Sequence, residues 1–154
     1  MATNSAWRPL ADWERGILDR FFECEFPERE RLRPQLDRLS CKVIDEYDDD
    51  YGSLEFRVAG LPEPEGGVSP HAEGEYLDDD GVPIWILLFI RDNQLWELEI
   101  LRADGGRIIR KPSAELFNPR SMFDGSSRTL QPPSCPPKGR TPRRRGQHRA
   151  SGSR

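Results

Sequence analysis

The sequence predicts an α+β domain: two N-terminal helices packed on an antiparallel sheet of about five strands, followed by a basic tail that does not fold. Three observations predict it. Apolar residues recur at helical spacing before residue 40 and at two-residue spacing after it. Two long apolar stretches flank Asp92-Asn93, a turn-forming pair. The apolar pattern then stops at Pro119.

Residues 1–8 read as a flexible N-terminus, 9–118 as the domain and 119–154 as the tail. Leu10, Trp13, Ile17, Leu18 and Phe21 fall on one helix face, with Arg15, Asp19 and Glu23 on the other. Residues 28–39 read as a shorter helix with Leu32, Leu36 and Leu39 on one side, Pro34 being tolerated in its first turn. Lys42 to Tyr47 reads as a strand. Leu54, Phe56 and Val58 alternate with Glu55 and Arg57, the pattern of a half-buried strand. Residues 60–70 read as a loop and Ala72 to Leu77 as a strand. Ile84 to Arg91 and Gln94 to Arg102 read as a hairpin, and Arg107 to Arg110 as a short closing strand.

An unbroken two-residue hairpin fixes a register. It sets Phe89 against Trp96, Leu87 against Leu98 and Trp85 against Ile100 on a face expected to be core. The opposite face then carries Ile84, Ile86, Leu88, Ile90, Leu95, Glu97, Glu99 and Leu101. Within that strip, Ile86, Leu88, Leu95, Glu97 and Glu99 form the candidate partner surface, for a protein partner or a second copy of the chain, because of its apolar excess. The competing reading is that helices or Ala114 to Phe117 cover it.

Charge divides the chain. Residues 1–118 hold 14 basic and 26 acidic residues, a formal −12; residues 119–154 hold nine basic residues and one acid, Asp124, a formal +8. The tail offers Arg140, Arg143, Arg144, Arg145 and Arg149 as a weak polyanion contact, but no interleaved aromatic residue stacks on bases. Three roles stay open for it: folding back on the acidic domain, nonspecific polyanion binding, or no selected role.

Several chemistries lack their residues. No Gly-x-Ser-x-Gly, phosphate-binding loop or dinucleotide fingerprint occurs. Cys24, Cys41 and Cys135 form no metal or redox spacing, and buried thiols in a reducing cytoplasm are expected. The longest apolar run, Ile84 to Ile90, is too short to cross a membrane, and the N-terminus lacks a signal-peptide pattern. His71 reads as a solvated loop histidine. Asp45 to Asp50 and Asp78 to Asp80 read as solvated turn acids without calcium-loop spacing. Glu97 and Glu99 are the carboxylates of most interest, since a pair in differing environments can divide into acid and base, and a solvated sheet face is the preferred reading. No cofactor is implied.

Phe26-Pro27, Leu32-Arg33-Pro34-Gln35-Leu36 and Val43, followed by Asp80-Gly81-Val82-Pro83-Ile84, Leu95-Trp96-Glu97-Leu98-Glu99-Ile100, Asp104-Gly105 and Pro112, resemble a family of small uncharacterised bacterial proteins of actinomycete type. The resemblance spans roughly residues 13–118. Glu28 and Asn93 stand where that pattern has glycine. It implies the fold and assigns no activity. The function expected is a non-catalytic protein-binding module, an acidic partner for a basic protein. The alternatives are polyanion binding through the tail and an enzyme using Glu97 and Glu99.

Overall fold

The computed structural model describes residues 6–44 and 51–123. The acidic run at 45–50 and residues 124–154 lie outside the described residues. The elements are β1 (Arg8–Pro9), α1 (Asp12–Phe21), α2 (Arg29–Leu32), a 3-10 helix (Arg33–Arg38), β2 (Leu39–Val43), β3 (Leu54–Val58), β4 (Val68–Leu77), β5 (Pro83–Arg91), β6 (Gln94–Arg102) and β7 (Arg120–Ser121). The strands form one antiparallel sheet in the order β1-β2-β3-β6-β5-β4-β7.

The α+β class is as expected, but the sheet has seven strands rather than five. The two additions, β1 and β7, are two-residue edge pairs too short to leave a periodic trace. Through them Arg8 pairs with Cys41 and Arg120 with Glu73. The second helix is one α turn continued as a 3-10 helix through Pro34, since proline there removes an N–H that a longer helix would need. β4 begins at Val68, inside the expected loop. Residues 107–110 form no strand; the backbone N–H groups of Ile109 and Arg110 are bound by Asp78 instead.

Helix α1 starts on a carboxylate. Glu14 Oε2 accepts the Ala11 N–H at 2.7 Å, and the same side chain takes Arg8 Nη1 at 2.9 Å and Nη2 at 2.6 Å. Glu14 is 1% exposed, so this pairing is what permits its burial. The helix turns Ile17, Leu18 and Phe21 into one core cluster with Cys41, Phe56, Ile84, Ile86, Leu88 and Leu98. Fully burying such side chains contributes about 1.5–3 kcal/mol each.

The hairpin between β5 and β6 has the expected two-residue turn, with Asp92 at φ 49 and Asn93 at φ 57. Its register is not the expected one. Ile90 pairs with Leu95, but Phe89 pairs with Glu97, so Trp96 is an extra residue, a β-bulge. Beyond it Leu88 faces Leu98 and Ile86 faces Ile100. The core face is thus Ile84, Ile86, Leu88, Ile90, Leu95, Leu98 and Ile100, all buried. Trp85, Leu87 and Phe89, expected in the core, lie half-buried on the other face.

Gln35 holds this turn. Its Nε2 donates to the Asn93 carbonyl at 2.8 Å and its Oε1 accepts the Leu95 N–H at 2.9 Å. Glu28 and Asn93, the two departures from glycine, both sit at positive φ. With its amide nitrogen turned toward the carboxylate, Asn93 donates to Glu28, so each side chain offsets part of the backbone strain that glycine would avoid.

Two stability outcomes follow. Gln35→Leu strands a buried N–H and a carbonyl, and urea denaturation should show a loss of about 1–3 kcal/mol; an unchanged midpoint would remove Gln35 from the account of the register. Gly74→Ala places a Cβ 2.3 Å from Phe117 Cδ2, and this overpacking should destabilise by about 1–3 kcal/mol. Adding Phe117→Leu to it should recover part of the loss if that contact is the cause.

Candidate functional site

The face of the sheet away from the core cluster is organised by the shifted register. Three cross-strand rows run over it: Glu75–Trp85–Leu101, Glu73–Leu87–Glu99, and Phe89–Glu97–Glu55. β5 thus lays an apolar strip, Trp85, Leu87 and Phe89, between glutamates on β4 and on β6. A shallow cavity of about 160 Å³ lies over it, lined by Trp85, Leu87, Leu101, Glu73, Glu75, Glu99 and Arg120.

Two of these carboxylates have cations. Arg120 Nε reaches Glu73 Oε1 at 2.6 Å, and Lys42 Nζ reaches Glu55 Oε2 at 3.1 Å. Among the described residues no cation pairs with Glu75, Glu97 or Glu99. Burial pushes the Glu97 carboxyl above the usual range, and the like charges of Glu99 and Glu55 add to it. Burial also raises Glu99. At the far end of the face Trp7 sits against Lys42 Nζ (5.1 Å) and Arg57 Cζ (4.2 Å), and Trp96 lies under Arg91 Cζ (4.7 Å).

The expected partner surface is therefore divided by the sheet. Glu97 and Glu99 are on the open face, but Ile86, Leu88 and Leu95 are 0%, 0% and 1% exposed and point into the core. The physical reason is the single extra residue at Trp96, which turns every later β6 side chain over. Arg140, Arg143, Arg144, Arg145 and Arg149 lie outside the described residues. Sequence reading missed Trp85, Leu87, Phe89, Glu73 and Glu75 as surface residues. The available signal was parity: Leu95 is an odd number of positions from Leu98 and Ile100, so all three can face inward only across a bulge.

The other singled-out groups are structural. His71 is not a solvated loop residue. It is 9% exposed, at the irregularity between Pro70 and Ala72 in β4, with ring contacts to Phe26 and Phe123 and Nδ1 3.2 Å from the Ser69 carbonyl. Nor is Asp78 a solvated turn acid. Its side chain is 0% exposed and pairs at 2.6 Å with Arg102, which also binds Asp80 and Asp104. Burial alone would raise Asp78, but the N–H groups of Ile109, Arg110 and Asp79 together with Arg102 hold it below the usual carboxylate range. The Cys41 thiol is pushed up to about 11 by burial and by Glu14, which makes it a poor nucleophile. Among the described residues no group of three or more His, Cys, Asp or Glu is placed to hold a metal ion, and no helix is long and apolar enough to cross a membrane.

These features define a small α+β domain with one sheet face packed and one open. Residues 7–112 match a family described as a domain of unknown function, DUF6984, and the chain belongs to that family. The match takes in β1 and ends at Pro112, before Phe117 and β7. No curated protein and no solved structure matches the chain.

The raised carboxyls give a pH signature. A folded-state value above the unfolded one means that the native protein binds more protons in that window, so stability falls as pH rises through it. Glu97→Gln removes this loss. Its urea midpoint should exceed the parent's at pH 7 and converge with it below about pH 4; an equal gain at both pH values would exclude ionisation as the cause.

Proposed function

We propose that this domain is a non-catalytic binding module whose open sheet face receives a basic surface of another protein. One observation carries the reading: Glu75, Glu97 and Glu99 flank an apolar strip and have no cation among the described residues. Elsewhere the domain pairs its buried charges, as at Arg102 and Glu14. A partner with cations on either side of an apolar centre would lower the cost of the half-buried carboxylates and cover Trp85, Leu87 and Phe89 at once. The cavity lining holds no histidine, cysteine or serine beside its carboxylates, which favours binding over nucleophilic chemistry. A reducing cytoplasmic setting fits the inert thiol of Cys41.

The test is capture of a partner by the immobilised full chain, followed by titration of that partner against variants. Glu97→Lys with Glu99→Lys should weaken it by about 1.4 kcal/mol or more, tenfold in Kd. Glu63→Lys with Glu65→Lys, in the exposed loop before β4, should leave the affinity unchanged. Equal affinity for all three proteins would place the contact elsewhere.

A further inference from the structure

The described chain ends at the outer edge of β4, which borders the open face. β7 pairs Arg120–Ser121 with Ala72 and Glu73 on the outer edge of β4, and Arg120 already lies over the cavity, bound to Glu73. Met122 N donates to the His71 carbonyl at 3.0 Å, and the Phe123 ring meets His71 at 5.1 Å. Residues 124–154 follow, with eight basic residues and one acid. Five of the basic residues are arginines between positions 140 and 149.

We propose that the arginine-rich stretch Arg140–Arg149 docks in cis on the glutamate-flanked strip of the open face, so that the chain covers its own binding surface until a more strongly held cation displaces it. The proposal rests on the reading of that face as a cation acceptor and adds its regulation. Arg120 on Glu73 is the pattern for it: a guanidinium from the C-terminal segment held by a β4 glutamate at the rim of the cavity. Glu75, Glu97 and Glu99 are further carboxylates of the same face without a cation among the described residues.

Reach is not limiting. Arg140 stands 17 positions beyond Phe123, and 17 residues can span at most about 60 Å. Three strand spacings, from β7 to β6, are only about 15 Å. Tethering sets an effective concentration in the millimolar range, so individually weak exposed ion pairs suffice when several act together. Arginine fits the surface better than lysine. Its planar fork matches carboxylates, it stacks on an indole such as Trp85, and its aliphatic stem covers apolar side chains.

The experiment places a nitroxide on Cys135 of the full chain carrying Cys24→Ser; Cys41 is buried and its thiol is pushed up to about 11, so it stays unlabelled. At low ionic strength, about 0.01 M, the Trp85 indole and the amides of Leu87 and Glu99 should lose most of their NMR intensity, and recover it near 1 M salt. Arg143→Gln with Arg144→Gln and Arg145→Gln should restore the signals at low salt. Glu97→Lys with Glu99→Lys should do the same. Unbroadened signals, or broadening that survives both sets of substitutions, would overturn the proposal. So would equal broadening when labelled and isotope-enriched chains are separate molecules, which would assign the contact to a second copy. Partner capture that depends on Glu97 and Glu99 without this broadening removes the cis contact alone. Broadening without any partner leaves the cis contact and removes the external one.

Discussion

One extra residue, Trp96, decides which side of this sheet is protein interior and which is surface. A regular strand puts Leu95, Glu97 and Glu99 on one face and Trp96, Leu98 and Ile100 on the other. Either face then conflicts with burial: the first would bring two carboxylates in with Leu95, the second would leave Leu95 outside. The bulge removes the conflict by advancing β6 one residue against β5. Leu95, Leu98 and Ile100 all turn inward and Glu97 and Glu99 turn out. Gln35 holds the place where this happens, binding the backbone on both sides of Gln94. The 3-10 helix that carries Gln35 is thus coupled to the hairpin register and, through it, to the composition of the open face.

The electrostatics of the two faces differ in kind. On the packed side the deeply buried charges among the described residues have partners: Glu14 with Arg8, and Asp78 with Arg102 and three backbone N–H groups. No buried side-chain polar atom among the described residues lacks a hydrogen bond. Such pairs are costly to break and add modestly to stability, and what they secure is the position of the chain. Arg102 ties the turn after β4, the end of β6 and the segment at 109–110 to one point. On the open side Glu55 and Glu97 stand opposite each other as like charges, an arrangement that destabilises a sheet. A domain that satisfies its charges so thoroughly in one place, and leaves three glutamates beside half-buried apolar rings in another, carries a local stability loss of the kind that binding surfaces carry.

Much of the fold was legible. The 3.6-residue spacing of Ile17, Leu18 and Phe21 gave the buried face of α1, and alternation gave Leu54, Phe56 and Val58. The Asp92-Asn93 turn followed from residues that accept positive φ. What was not legible has physical reasons. β5 is apolar on both faces, so its period cannot say which side is core, and the decision passed to a register that a bulge then changed. β1 and β7 are fixed by pairing with distant strands and have no local period. His71 and Asp78 adjoin loop and turn residues in the sequence, yet both are buried by segments more than thirty positions away, Phe26 and Phe123 for the histidine and residues 109–110 for the aspartate. Of the site, Glu97 and Glu99 share one sheet face, but their cross-strand neighbours are Phe89 and Leu87 in place of the expected Leu88 and Ile86.

The corrected neighbours change what a partner must look like. Trp85, Leu87 and Phe89 repeat every second residue, about 7 Å apart, and the glutamate rows lie about 5 Å to either side on β4 and β6. A flat apolar surface would bury the strip and strand the carboxylates in low dielectric, where each raised carboxyl would have to neutralise or lose its hydration. A compact cation such as a lysine ammonium reaches one row at a time and leaves the strip wet. A guanidinium whose stem lies along β5 meets both needs: methylenes over the rings, and a planar fork turned to a carboxylate at the side. The spacing and chemistry of the open face therefore select for arginines at short intervals on an extended or surface-displayed segment, which is the composition of positions 140–149 of this same chain.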